Sequence, residues 1–214
     1  MMRCWAFLVV LSLAGIAWAQ EEPVCVENSP ERRGQIGCSI VEKKPLPTLK
    51  EPVFWHVDQF DSAERAKAGI GPSSIAFEAH GDWWLMSIGP ESNDHHGGRH
   101  MAQVNLSPLP KADAYSMLVI SAYIPAGMTS RVHFHSGVEA FYTVDGEQCL
   151  ETKEKAFRMK KGDTLVVPTG ITMRLVATGT EPRRAFAVIV YDSSKPPVTR
   201  LPMSTASELV SCTK

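Results

Sequence analysis

The sequence predicts an all-β protein whose main unit is a closed antiparallel barrel or jelly roll, and three observations carry that expectation. From Tyr115 onward, short runs rich in aromatic and β-branched residues recur at regular spacing, over 117–124, 131–135, 139–144, 147–151, 156–159, 164–167, 171–177 and 185–191. Gly, Pro, Asn or Asp separates them, which is the punctuation of short strands. No helical repeat, heptad or low-complexity block competes with this pattern. Asp145-Gly146, between two of the runs, reads as a two-residue hairpin.

The elements before the barrel follow in order. Residues 1–19 read as a signal peptide: Arg3 precedes an apolar run from Trp5 to Trp18, and Ala17-Trp18-Ala19 offers the small-x-small pattern of a cleavage site near Ala19. The run is short for a membrane span and Gln20-Glu21-Glu22-Pro23 follows without a basic stop, so no stable membrane anchor is expected. The expected location is secreted or periplasmic. Residues 20–53 hold Pro23, Pro30, Pro45, Pro47 and Pro52 without periodicity and read as an extended arm. Within 54–110, residues 61–68 before Gly69 form one short helix, and 74–79, 83–88 and 101–106 form strands that pack on the barrel. The barrel occupies 111–192 and a tail 193–214.

A chain of 214 residues with 44% hydrophobic and 21% charged residues is long enough for one good core. Its formal net charge of -1 supplies no basic field, so nucleic acid is not expected as a partner. Export makes disulfides available to Cys25, Cys38, Cys149 and Cys212. Cys25 with Cys38 is the local pairing; Cys149 with Cys212 could then tether the tail.

Chemistry concentrates between Gly127 and Gly146, in G-M-T-S-R-V-H-F-H-S-G-V-E-A-F-Y-T-V-D-G. His133 and His135 are two apart, so on an extended strand both rings project from one face. Glu139 keeps that parity across a Ser136-Gly137 turn. Two imidazoles and one carboxylate on one side of an ion leave its other positions open, as a reactive site requires.

These residues resemble the first motif of the cupin superfamily, G-x5-H-x-H-x3-E-x6-G, with every spacing kept at Gly127, His133, His135, Glu139 and Gly146. The second motif, G-x5-P-x-G-x2-H-x3-N, is met by Gly162, Pro168 and Gly170. It then departs from the pattern, with Met173 at the last histidine and Ala177 at the asparagine. The resemblance spans roughly 115–192 and implies a double-stranded β-helix barrel with a metal ion near its mouth, held by His133, His135 and Glu139. Parity places Ile171, Met173 and Leu175 on one apolar face, so Met173 points inward, either as a fourth ligand or as core packing. A thioether suits copper and adds little to Fe, Mn or Zn. One ion of open identity (Cu, Zn, Fe or Mn) is therefore expected, either in a facial triad walled by Met173 or in a four-ligand copper site. A polar pocket for an organic ligand is the alternative. With no twin-Arg pair in the signal, the chain would meet its metal outside the cytoplasm.

Arg131 shares the parity of the histidines and could bind a carboxylate, and Tyr123 could donate to a bound oxygen. Glu139 could move a proton. His95, His96 and His100, in S-N-D-H-H-G-G-R-H, read as a solvated loop, with a lid or second metal site as the other reading. His56 and His80 are isolated. The function implied by the resemblance is a metal-dependent dioxygenase or isomerase acting on a small organic molecule. Its rival is a non-catalytic carrier of copper or a small ligand outside the cytoplasm. The arm could also pair two copies into a homodimer.

Overall fold

Strands dominate the computed structural model, which describes residues 26–27 and 37–212. They are β1 (Val26–Glu27), β2 (Gly37–Pro45), β3 (Phe54–Phe60), β4 (Ser74–Ala79), β5 (Asp82–Gly89), β6 (Arg99–Asn105) and β7 (Tyr115–Ile124). After them come β8 (His133–His135), β9 (Gly137–Asp145), β10 (Glu147–Thr152), β11 (Ala156–Lys160), β12 (Thr164–Val167), β13 (Met173–Thr178), β14 (Arg183–Asp192) and β15 (Val198–Arg200). The α-helix α1 (Ala63–Ala68) starts where the Ser62 hydroxyl accepts from the Arg65 N–H and stops at Gly69, and a 3-10 turn follows in the tail at Met203–Glu208.

Three sheets stack. The middle one runs β1-β2-β7-β14-β9-β12, with β11-β10-β13-β8-β15 on one side and β4-β5-β3-β6 on the other. Alternation along β14 shows how they meet. Phe186, Val188 and Val190 pack with Trp55, Trp84 and Met86 of the four-stranded sheet, whereas Ala187 packs with Phe141, Leu150 and Leu175 inside the barrel. A strand covered on both faces needs apolar residues at every position, which is why 185–191 reads A-F-A-V-I-V-Y. The six- and five-stranded sheets form the expected all-β double-stranded β-helix, and β3 to β6 add a third layer to it.

Four details differ from the sequence expectation. Part of the expected arm is a strand: β2 pairs with β7 from Gly37↔Tyr123 to Pro45↔Ser116. Its Glu42-Lys43-Lys44-Pro45 end and a bulge between Ile40 and Glu42 erase the alternation that would have revealed it. Residues 54–60, not expected as a strand, form β3 at the centre of the four-stranded sheet. Asp145-Gly146 is a corner rather than a hairpin, because β9 belongs to the six-stranded sheet and β10 to the five-stranded one. Gly146 takes φ 74° there, and a Cβ would lie 2.6 Å from the Pro182 carbonyl oxygen. Finally, the tail returns to the barrel, since β15 pairs with β8.

The tail is also held covalently. Cys149 and Cys212 form a disulfide across 63 residues, and the Glu151 carboxylate accepts from the Cys212 N–H at 2.8 Å. On the chain-entropy account such a loop is stabilised by roughly 4 kcal/mol, which unfolding with and without reductant measures. Cys38 is disulfide-bonded; Cys25 and the expected signal peptide lie outside the described residues. No helix among the described residues is long and apolar enough to cross a membrane.

His80 occupies the β4–β5 turn with φ 55°, followed by Gly81 at 89°, the conformation of a two-residue hairpin. Burial, aided by Arg184, lowers its imidazole from 6.5 to about 4. A depressed histidine makes stability fall as pH drops from the unfolded value of 6.5 toward about 4, by about 3 kcal/mol in all. Replacing His80 by Gln is expected to flatten the acid limb of a urea-unfolding series between pH 7 and 4.5; an unchanged slope would refute this.

Candidate metal centre

His133 and His135 make up the ends of β8, and Glu139 sits near the start of β9. The short strand β8 is gripped on both sides, by β13 through Met173↔His133 and by β15 from Val198↔His135 to Arg200↔His133. The Gly170 N–H donates to the His135 carbonyl at 2.9 Å. Gly137 permits the sharp step from β8 to β9: a Cβ there would lie 2.1 Å from the Val190 carbonyl oxygen and 2.5 Å from Tyr191 Cβ. This close approach carries Glu139 beneath the two rings.

One potential ligand atom from each of the three residues lies within 4.8 Å of the others. Each histidine is oriented by a backbone carbonyl: His133 Nδ1 is 2.7 Å from the Arg131 oxygen and His135 Nδ1 is 3.0 Å from the Pro197 oxygen. A carbonyl only accepts, so both Nδ1 atoms carry protons and the neutral rings keep their Nε2 lone pairs for the site. His135 Nε2 and Glu139 Oε2 then stand 3.2 Å apart, both buried, and neither makes a well-aligned hydrogen bond. Two lone pairs facing each other in a buried site are unfavourable unless a proton or a cation lies between them. Two imidazoles and a carboxylate suit Zn, Fe, Mn or Cu, so the residues fit a metal ion.

Protons compete for this place. Burial lowers the His135 imidazole, but the charge and hydrogen bonding of Glu139, helped by the Pro197 carbonyl, outweigh burial and raise it above 6.5. His133 goes down, through burial first and His135 second, against smaller opposing effects of Glu139 and the Arg131 carbonyl. In the metal-free protein the raised His135 contributes stability that is complete below 6.5 and lost as pH rises through its own higher value. Metal binding expels that proton, so metal affinity rises with pH over the same window.

The three residues line a cavity of about 340 Å³ between the two barrel sheets. Its walls are apolar, including Leu118, Ile120, Phe141 and Leu150, and its lining also holds Lys43, Arg131, Arg183 and Arg200. Lys43, Arg131 and Arg200 are exposed, whereas Arg183 is buried and donates to the Gln148 side chain. Met173, 1% exposed, lines the cavity and also packs with Phe141, Leu150 and Leu175.

Of the other expected site residues, Arg131 lines the cavity and Tyr123 does not. Leu118, Ile120 and Ala122 are the β7 residues that face it, so Tyr123 has the opposite parity, and its ring lies under the Arg184 guanidinium at 5.3 Å. Lys43, Arg200 and the Pro197 carbonyl escaped the sequence reading because they come from the arm and the tail, far from the motif in sequence.

The histidine-rich loop is not simply solvated. His95 and His100 converge on Asp58 of β3, with each Nδ1 2.9 Å from Asp58 Oδ1. His96 stands apart, 3.6 Å from Asp94. Sequence reasoning missed Asp58, although a lone carboxylate inside the apolar run F-W-H-V-D-Q-F was a signal.

Residues 120–189 match a family model described as the cupin domain. Similar solved structures include a cupin-like protein from Thermotoga maritima MSB8, with 17% identity and a TM-score of 0.39 over 48% of this chain and 86% of that one. An RmlC-like cupin family protein with a double-stranded β-helix fold, from Methanocaldococcus jannaschii, shares 17% identity at a TM-score of 0.34, over 35% of this chain and 70% of that one. A cupin superfamily protein from Desulfitobacterium hafniense DCB-2 shares 14% identity at a TM-score of 0.32, over 39% and 72% respectively. No curated protein matches the chain.

Proposed function

We propose that this chain, whose residues 120–189 match the cupin domain, is a metal-dependent enzyme acting on a small organic acid, with His133, His135 and Glu139 as the metal ligands. The observation that carries this reading is the pair of backbone carbonyls that fix both imidazoles with their Nε2 lone pairs toward Glu139. When bound, the ion would supply Lewis acidity for chemistry of the isomerase kind and, if it is iron, copper or manganese, redox chemistry of the dioxygenase kind. The chain's own residues do the rest. Lys43, Arg131 and Arg200 supply positive charge for a carboxylate, and Leu118, Ile120 and Phe141 exclude water around the organic body. Glu139, once released from the ion, would move a proton. A site outside the cytoplasm fits the Cys149–Cys212 disulfide and the signal-like residues 1–19.

The test is elemental analysis of protein purified without chelator, beside His133→Ala and Met173→Leu, followed by a turnover screen of hydroxy acids, diketones and phenolic acids. Metal that is lost with His133 and indifferent to Met173, together with turnover that Arg200→Ala weakens about tenfold in KM, supports the enzyme. Full metal occupancy in His133→Ala would sink the ligand assignment. The burial of Met173 in the same cavity favours one second reading, a copper carrier, in which copper is lost on changing Met173 and no substrate turns over.

A further inference from the structure

We propose that Asp58, His95 and His100 form a second metal site, on the side of the four-stranded sheet that faces away from the barrel. The first observation is its placement. On β3, Trp55 and Val57 pack against the middle sheet, so His56, Asp58 and Phe60 project to the opposite face, where Phe60 meets Ala66 of α1. Strand β6 would not by itself present a histidine there, since His100 has the parity of Ala102 and Val104, which face the core. A bulge between Val57 and Asp58 in the β3–β6 pairing moves the register so that Val57 faces Ala102 but Asp58 faces His100. That one-residue irregularity puts the imidazole on the carboxylate.

The loop before β6 delivers the third group and is fastened for the purpose. Its Gly97 carbonyl accepts from Arg65 at 2.6 Å, and Asn93 donates to the Ser87 hydroxyl at 2.9 Å. Gly98 lies against the Phe60 ring, where a Cβ would come within 2.5 Å. Held this way, His95 packs beside His100 with ring centres 4.1 Å apart.

The polar groups are then left without sufficient partners. Asp58 is fully buried, and its Oδ1 alone faces both imidazoles, hydrogen-bonded to His100 Nδ1 and 2.9 Å from His95 Nδ1. Asp58 Oδ2, His95 Nδ1 and His56 Nδ1 are buried atoms with no hydrogen-bond partner. His56 lies beside the cluster, 6.1 Å from both other rings, and its Nε2 is committed to the Pro90 carbonyl at 2.8 Å. A buried carboxylate requires compensating positive charge, and a cation satisfies Asp58 Oδ1, Oδ2 and both Nδ1 atoms together. The spacing suits it: ligand atoms of a tetrahedral zinc site with bonds of about 2.05 Å stand roughly 3.3 Å apart, near the 2.9 Å found here. The His95 and His100 side chains are 35% and 33% exposed, so the ion has a path from solvent. Two imidazoles and one carboxylate select zinc or another late divalent transition ion over Mg or Ca.

The test uses the full chain, stripped with chelator and titrated with Zn²⁺ for stoichiometry and with Co²⁺ for its visible absorption. Wild type is expected to take two ions, the His95→Ala/His100→Ala double variant one, His135→Ala one, and the combination none. The double variant keeps Asp58 and changes only partly exposed positions; His100→Ala alone is the fallback if it does not fold, with affinity for the second ion expected to drop more than about 100-fold. A wild-type stoichiometry of one that His135→Ala abolishes, or of two that the loop variants leave intact, would overturn this site. A single ion lost with His95 and His100 but not with His135 would support it and remove the barrel site instead.

Discussion

Replacing His135 by alanine is expected to lower barrel metal affinity by more than 100-fold, roughly the upper limit seen for loss of an outer-shell partner. The reason is geometric as well as chemical. His135 Nε2 stands 3.2 Å from Glu139 Oε2, and without it the buried carboxylate loses the imidazole that shares its charge most directly. The metal-free variant should therefore also be less stable than the metal-free parent, and most clearly at acid pH, where the parent gains from the protonated pair. Metal titration followed by calorimetry at two pH values separates these effects. Retained affinity would exclude His135 as a ligand, and a stability difference that grows toward alkaline pH would contradict the charge state assigned to the pair.

Gly137→Ala is expected to destabilise the fold by about 3 kcal/mol and to lower metal occupancy with it. The new methyl group would meet backbone atoms of β14, the strand covered on both faces, and neither Val190 nor Tyr191 can move without disturbing a packed sheet. Relief can come only from β9, which would swing Glu139 away from the histidines. Denaturant unfolding beside metal content checks both halves. A loss of metal without loss of stability would mean that the turn, rather than the sheet contact, governs the site.

Much of this was legible in the residues. The parity of His133, His135 and Glu139, the spacing of glycines around them and the strand rhythm after Tyr115 all concern neighbours in sequence, where a period of two determines which side chains share a face. What stayed hidden depends on partners far along the chain. Strand β2 was masked by its charged end and by the bulge between Ile40 and Glu42, which interrupt its alternation. The use of Asp145-Gly146 as a corner depends on which sheet each flanking strand joins, a matter of pairing that local turn chemistry does not determine. The meeting of Asp58 with His100 depends on a bulge, which reverses the parity rule that made His133 and His135 readable. Tyr123 failed as a site residue for the plain reason that its face was not assigned.

Both neighbours of the ligand strand β8 come later in the chain than the ligands themselves: β13 on one side and, last of all, β15. His135 is aimed by the carbonyl of Pro197, so the set of three donors exists in sequence long before the site exists in space. Loading therefore requires residues 197–200 to be in place, and a chain that stops short of them cannot hold the ion tightly. A form ending at Pro196 is expected to retain His133, His135 and Glu139 yet bind metal at least tenfold more weakly, which equilibrium dialysis against the full-length protein measures. Residues 197–200 thus act as the clasp that closes the metal centre.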